Sequence, residues 1–479
     1  VKASFLFEDN LMSQPRWTRR HVLAAGAAAL GAPYFISART LGFENAAPPS
    51  DTVRVGMIGC GGRARSVINE GRDVKGMRVV AVCDCVHQRV DDFARDLSNG
   101  EKWSVYDDFR KMIEEQQLDG VMIETTTHAR AWIAVMAMQR GMDVYIEKPM
   151  ALTIAEGREM VNAARKLGRV TQVGTQQRSI PLNNWASDLV KNGAIGTVKA
   201  VLAPNFVGPF RWTKTSTRDV QLPVEPWWDT WTSQAELRPH DPELQFGWAK
   251  WSDYDGGGLG FGVTGWGAHS YDQINRALGT DDTGPTSLML EEAVADRETG
   301  RFETANTVGT YGAGLTGEQD TGVDYHSMAK LVGPRAKVRM WFDNGTELRL
   351  HLDGDRGPGL GAIFIGENGK IEINRDKVAS NPAELVASSG NPGPLKRPET
   401  APHIENWIEC IKSRQPCTAD IEIGQRASTL CYLVNIIREV GLVGQKLHWD
   451  PAAERFIDNE LANTLLSRPR RAGYELPTV

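Results

Sequence analysis

Four groups of residues in this chain have the types and spacing that chemistry needs. Gly59-Cys60-Gly61-Gly62-Arg63-Ala64 is a G-x-G-x-x-A turn that follows the apolar run "VRVGMI" and opens a helical pattern. Gly59 permits the tight turn, Gly61 admits a pyrophosphate against the backbone, and Ala64 lets helix and strand pack closely. The helix N-terminus attracts the phosphate. Asp84 closes the next apolar run, "MRVVAVCD". A carboxylate there accepts both ribose hydroxyls and repels a 2′-phosphate, which predicts NAD in preference to NADP, with Arg89 as the one contrary sign. His269, in "GWGAHSYDQ", sits near a predicted helix start with Tyr271 and Asp272 just beyond. A neutral imidazole there takes a proton from a substrate hydroxyl, although a lone histidine in such a place is ordinarily structural. Finally, "YIEKPM" ends an apolar run in Glu147, Lys148 and Pro149. Pro149 disfavours helix at Lys148 and helps stop the strand. Whether Lys148 also has chemical work depends on what surrounds it.

The elements around these residues decide that. From Val53 to Arg178, strand-like runs alternate with helical ones: "VMIE" reaches Thr125-Thr126-Thr127-His128, "ARAWIAVMAMQRG" is a helix capped by Gly141, and "MDVYIE" is a strand. Thr153-x-x-Glu156 is a capping box for a helix that ends at Gly168, and "RVTQVG" leads to Thr175-Gln176-Gln177-Arg178. The alternation predicts an α/β fold with a doubly wound parallel Rossmann sheet. Ligands bind such sheets at the carboxyl ends of the strands. Asp84, Thr125, His128, Glu147, Lys148, Gln176 and Arg178 all fall at those ends.

After Arg178 the rhythm changes to strand-like runs and turns, with hairpin signals at Asn344-Gly345 and Asn368-Gly369. This predicts a C-terminal α+β domain with a large, mostly antiparallel open sheet. Seven of the fourteen tryptophans lie between Phe210 and Trp266. Aromatic faces stack on sugars but also fill cores. At least one, with Trp228 the candidate, is expected to line a pocket beside Gly256-Gly257-Gly258. The predicted boundaries are an N-terminal signal at 1–38, a linker at 39–52, a nucleotide-binding domain at 53–178, a substrate domain at 179–402, and C-terminal helices with a tail at 403–479 packed on both domains.

With 479 residues, 60 acids against 54 bases and a net charge of −6, the composition suits a soluble globular chain and gives no reason to expect nucleic-acid binding. The six cysteines match no zinc spacing, no metal site is expected, and the thiols read as small buried residues. Near the N-terminus, Thr18-Arg19-Arg20 precedes the weakly apolar "AAGAAALGAPYFISA". This is the pattern of a twin-arginine export signal, and it is too short and weakly apolar for a transmembrane span. The expectation is export to the periplasm without stable membrane insertion.

The stretches "VRVGMIGCGGRA", "TTTH", "EKPMALT", "VGTQQRS", "GWGAHSYDQINRALG" and "HIENWIECIKSRQPCTADIEIGQRAS" resemble the Gfo/Idh/MocA oxidoreductase family, the relatives of glucose–fructose oxidoreductase and inositol dehydrogenase. The likeness runs through nearly all the chain after residue 52, and the exported branch of the family is the nearest in character. The resemblance implies that Lys148, in E-K-P, lies beside the nicotinamide and contacts the reacting hydroxyl, and that Glu147 contacts the nicotinamide ribose. It makes Lys148 and His269 the catalytic candidates. Gly59, Gly61, Gly62, Arg63, Ala64, Asp84, Thr125, His128, Glu147, Lys148 and Gln176 are the cofactor candidates. Arg178, Trp228, Tyr271 and Asp272 are the substrate candidates. The family often carries D-x-x-x-H here, but Gly265 stands in place of the acid. Asp272, Tyr271 or Arg178 remain open as replacements. Thr126 replaces the usual proline and Arg130 a frequent second histidine.

The implied activity is hydride transfer between NAD and a CH–OH group of a sugar or polyol. Export to a compartment poor in free NAD implies a tightly bound cofactor and a redox-neutral cycle. One such cycle couples oxidation of one sugar to reduction of another. An alternative is an NAD-dependent glycosidase that oxidises, eliminates, hydrates and re-reduces. A second is a non-catalytic sugar-binding protein of the same fold. A homo-oligomer, dimer or tetramer, is expected, as in the family.

Overall fold

The strands that end at the candidate residues lie side by side in one parallel sheet. The structure, a computed structural model, describes residues 51–212, 225–258, 260–292, 336–352, 358–387 and 390–479. The expected signal at 1–38 and all but the end of the linker at 39–52 lie outside them. The first sheet is built from β1 (Val53–Ile58), α1 (Gly62–Glu70), β2 (Met77–Cys83), α2 (His87–Leu97), β3 (Ser104–Tyr106), α3 (Phe109–Glu115), β4 (Gly120–Ile123), α4 (Arg130–Gln139), β5 (Asp143–Ile146), α5 (Ile154–Leu167) and β6 (Thr171–Val173). Its order is β3-β2-β1-β4-β5-β6, with every pair parallel. The chain leaves β1 in one direction and returns on its other side at β4, so the crevice for a ligand opens at the carboxyl ends of β1 and β4. Every residue of β4 and β5 is buried, as expected of parallel strands covered on both faces.

The second half contains α6 (Pro181–Lys191), β7 (Val198–Pro204), α7 (Pro226–Thr232), α8 (Pro242–Phe246), α9 (Trp266–Leu278), β8 (Ser287–Leu290), β9 (Val338–Trp341), β10 (Glu347–Leu352), β11 (Gly361–Gly366), β12 (Gly369–Asn374) and β13 (Val378–Asn381). It is completed by α10 (Thr400–Ser413), α11 (Ile421–Val440), β14 (Lys446–Asp450), β15 (Arg455–Phe456) and α12 (Glu460–Thr464). The nine strands run β13-β12-β11-β7-β10-β9-β8-β14-β15, and only β7 with β10 is parallel. The two hairpin signals fall at the β9–β10 and β11–β12 turns, where Gly345 has φ 81° and Gly369 φ 155°. Helices α6, α9 and α11 pack with this sheet around one apolar core. The fold class is therefore the expected one. The last stretch does more than supply helices. Its strands β14 and β15 enlarge the second sheet, while α10 returns Trp407 to the nucleotide-binding core.

Helix α5 fixes the chain just after Lys148. Its N-cap Thr153 accepts from the Glu156 N–H at 3.2 Å, and Gly168 closes it in the left-handed conformation at φ 63°. The Glu156 carboxylate reaches the Leu152 N–H rather than that of Thr153. Thr153→Ala is expected to cost about 1 kcal/mol, read as a lower urea midpoint with an unchanged slope.

Candidate cofactor and substrate site

At the carboxyl ends of β1 and β4 the chain leaves a cleft with about 1060 Å³ of empty space, open to solvent. Gly59, Gly61, Gly62, Arg63, Asp84 and Thr125 all lie on its wall. A Cβ on Gly59 (φ 91°) would meet the Glu124 carbonyl carbon at 2.8 Å, so the turn needs glycine. A Cβ on Gly61 would meet nothing within 4 Å, which leaves the backbone there open to close approach by a ligand. Ala64 is fully buried beneath the turn and packs the helix on the sheet. One oxygen of Asp84 accepts from the Cys60 N–H and the other from the Val86 N–H, both at 2.9 Å. Those amides aim the carboxylate at the cleft. Arg89 lies 3.9 Å from it.

One residue before Lys148, Glu147 is almost fully buried. Its carboxylate accepts from Arg63 Nε at 2.9 Å, Gln176 Nε2 at 2.7 Å and the Lys148 N–H at 3.1 Å. Burial alone would raise this acid, but Arg63, Lys148 and Arg130 together hold it below the ordinary carboxylate range. Glu124, on the cleft wall, has neither oxygen hydrogen-bonded. Burial and the Glu147 charge push it up to about 8, so it is held neutral beside its ionised neighbour.

Lys148, partly exposed, is followed by a cis peptide to Pro149. Its ammonium donates to the carbonyls of Gly265 at 2.9 Å and Thr264 at 3.3 Å. These are the last two residues before α9, whose first turn carries His269. The position that lacks an acid side chain thus receives Lys148 on its backbone instead. Desolvation lowers the Lys148 ammonium to about 8 against the raising charges of Glu147 and Asp255. Burial and the Lys148 charge hold His269 well below the usual imidazole range, so it is neutral at pH 7. Its Nδ1 is buried without a hydrogen-bond partner.

Several expected contacts are corrected. His128 is fully buried, with Nε2 on the Trp231 carbonyl at 2.9 Å and its ring against Trp231 and Tyr254. It joins the two halves and does not face the cleft. Gln176 is tied to Tyr145 and Glu147 and so orients Glu147 from behind. Trp228 is fully buried and stacked on Trp231 at 4.7 Å. Tyr271 is fully buried in the core of the second sheet. Arg178 is 3% exposed and spends its donors on Asp272 and Asp281, so neither Arg178 nor Asp272 replaces the missing acid. Hydrogen bonds within the protein claimed the cofactor candidates His128 and Gln176, while an apolar core or an ion pair claimed Trp228, Tyr271, Arg178 and Asp272, whose types alone suited a sugar.

Two residues outside the candidate set hold the site together: Arg130, noted in the sequence only as a replacement for a histidine, and Asp255. Arg130 donates to the Thr125, Glu147 and Pro149 carbonyls, joining the ends of β4 and β5. Asp255, 1% exposed, accepts from the hydroxyls of Thr127 at 2.5 Å and of Thr264. The signals were an arginine in the otherwise apolar "ARAWIAVMAM" and an acid directly before three glycines. Among the described residues no group of acids, histidines and cysteines could hold a metal ion, and all six cysteines are free.

A parallel dinucleotide-type sheet, tied by Lys148 to the turn before α9 in a second half built on a mostly antiparallel sheet, defines a protein of the Rossmann oxidoreductase class. Residues 53–175 match the Gfo/Idh/MocA profile described as "Oxidoreductase family, NAD-binding Rossmann fold", and residues 319–476 match its C-terminal alpha/beta domain. The two together cover more than half of the chain, which belongs to the Gfo/Idh/MocA oxidoreductase family. Over 144 residues it is 32% identical to D-apiose dehydrogenase of Paraburkholderia graminis, covering 29% of this chain and 37% of that protein. Over 127 residues it is 35% identical to a glycosyl hydrolase family 109 protein of Shewanella baltica, covering 25% of this chain and 28% of that protein. The match thus spans well under half the length of these curated relatives. The fold is shared with aldose-aldose oxidoreductase from Caulobacter crescentus, at TM-score 0.55 and 16% identity over 83% of this chain and 99% of that one.

The buried ion pair gives a direct test of the corrected role of Arg178. Arg178→Met is expected to cost about 3–5 kcal/mol, because it strands the buried Asp272 charge. Adding Asp272→Leu should recover most of that loss in chemical denaturation.

Proposed function

We propose that this protein oxidises or reduces a CH–OH carbon of a sugar, polyol or sugar derivative with NAD. One observation carries the reading: Lys148 bridges from the Glu147–Arg63 pair to the two carbonyls that precede the His269 helix. That arrangement supports a substrate hydroxyl lying between the ammonium and the imidazole. The residues present fit the dinucleotide, with Gly61 open to a pyrophosphate, Asp84 aimed for a ribose diol, Arg63 and Thr125 further along the wall, and Glu147 behind Arg63. Bound NAD supplies the hydride acceptor or donor. Asp84 favours NAD over NADP by repelling a 2′-phosphate.

In the oxidising direction His269, neutral and buried, takes the hydroxyl proton. Lys148 turns from its carbonyls to the substrate oxygen and stabilises the negative charge that develops there. Asp255 holds Thr264, and hence one of the carbonyls that park Lys148, while its charge favours the ammonium form. The cofactor in this reading is tightly bound and recycled on the protein, which is a periplasmic homo-oligomer, dimer or tetramer, that reaches its compartment by the twin-arginine route.

The partial likeness to a glycosyl hydrolase family 109 protein favours a second reading, a redox-neutral glycosidase. There the same two residues would move the hydroxyl proton while bound NAD+ would supply the hydride acceptor; the ketone so formed would acidify the neighbouring C–H and permit loss of the aglycone, after which water would add and the hydride would return to the sugar. Incubation with a panel of nitrophenyl glycosides separates the two. Nitrophenol release without net NADH supports the glycosidase, and NADH formation with a free sugar supports the oxidoreductase. A purified protein that neither carries nor binds a nicotinamide dinucleotide would overturn both and leave a non-catalytic sugar binder.

Lys148→Ala should lower kcat by about 10²–10³-fold while NADH titration shows binding retained. Unchanged turnover rejects the role. The ammonium is charged below its pKa and neutral above it, so activity should fall as pH rises through about 8. Asp255 raises the Lys148 pKa, so Asp255→Asn should move this alkaline limb to lower pH in the kcat profile.

A further inference from the structure

One side of the cofactor cleft is not made by the nucleotide-binding half. Trp231, Gln245, Phe246 and Trp248 line it from the second half of the chain, facing Asp84, Cys85 and Phe109. All belong to the stretch 225–251, which carries α7 and α8. The base of this stretch is clamped. Trp231 gives its carbonyl to His128, and the Gln234 amide donates to the His128 carbonyl. Asp229 accepts from Arg471 and from the Tyr474 hydroxyl, both at 2.7 Å.

The aromatic rings of the stretch divide into two groups. Trp227, Trp228 and Trp231 each stack on or abut another ring of the cluster. Among the described residues, Phe246 and Trp248 have no ring partner. Phe246 is 37% exposed, Trp248 is partly exposed, and both stand on the cleft wall. Trp248 packs on the apolar cluster that contains Trp228 and Trp231, and rings that reach solvent on a cleft wall with no second ring against them are the expected form of a surface that a flat ligand completes. Asp84, which marks the ribose position, lies on the same cleft, so the flat group within reach of these rings is the base attached to that ribose.

We propose that the stretch 225–251 is a fixed cap over the adenosine half of the dinucleotide, with Phe246 and Trp248 stacking against the adenine. The cap rests on the reading that this cleft takes NAD, and it explains how the cofactor stays bound in a compartment without a free pool. Ring–base stacking of this kind is sequence-remote from the glycine turn and independent of the Lys148–His269 chemistry.

The test uses the full chain, freed of co-purifying dinucleotide, with NADH and reduced nicotinamide mononucleotide as probes. In the double variant Phe246→Ala, Trp248→Ala, NADH release in a chase experiment should be about ten- to a hundredfold faster. The affinity for the mononucleotide, which has no adenine, should not change. Phe246→Tyr with Trp248→Phe, which keeps both rings, should retain slow release. The cap is overturned if the alanine pair, with wild-type melting temperature, releases NADH at the wild-type rate. It is also overturned if the mononucleotide weakens as much as NADH. If the wild-type protein binds neither probe, the proposed function itself falls, and the cap with it.

Discussion

The buried Glu147 carboxylate is the constraint on which the rest of the site depends. A charge removed from water costs several kcal/mol unless its lone pairs are filled. Here Arg63, Gln176 and the Lys148 amide fill them. Because those partners come from the glycine turn, the end of β6 and the next residue of the chain, satisfying one carboxylate sets three backbones relative to one another. Arg130 adds the end of β4 through carbonyl contacts. The Lys148 side chain is then free to cross to the second half of the chain.

That crossing sets the ammonium on the backbone at Gly265, the position where the family resemblance implies an acid. Two backbone carbonyls accept the ammonium, and the buried Asp255 supplies negative charge nearby without touching it. The compensation is electrostatic at a distance, and it keeps the ammonium charged at neutral pH while burial brings its pKa down to about 8. Glu124 shows the opposite outcome from the same field. With Glu147 ionised beside it and no donor of its own, it is held protonated. Adjacent carboxyls are driven apart in pKa when they share one low-dielectric region and only one has partners.

Much of the fold was legible because it follows from local rules. The alternation of apolar runs and helices, the Thr153 cap, the glycines at 168 and 345 and the strand-end polar residues each have a short-range physical cause. The glycine wall of the cleft was legible for the same reason, since the placement of Gly59, Gly61 and Asp84 follows from the turn and strand ends that contain them. The placement of the substrate candidates was not. Trp228, Tyr271 and Arg178 have side chains suited to a sugar, but residue type does not say whether a group faces a cavity or a core. The structural work of Arg130 and Asp255 was not legible because it depends on partners on other elements, Glu147 and Pro149 for Arg130 and Thr127 for Asp255.

By itself, the sequence determined the parallel sheet, its carboxyl edge and the identity of the residues placed there, because strand and helix periodicity and turn chemistry are local. Only the tertiary structure decided which of those side chains share a cleft. It buried Arg178 against Asp272, sent His128 to clamp Trp231, and brought Lys148 to the carbonyl of Gly265 across 117 residues of chain. The physical reason is that each placement is set by burial and charge pairing between elements distant in sequence, and those energies exist only once the elements have packed.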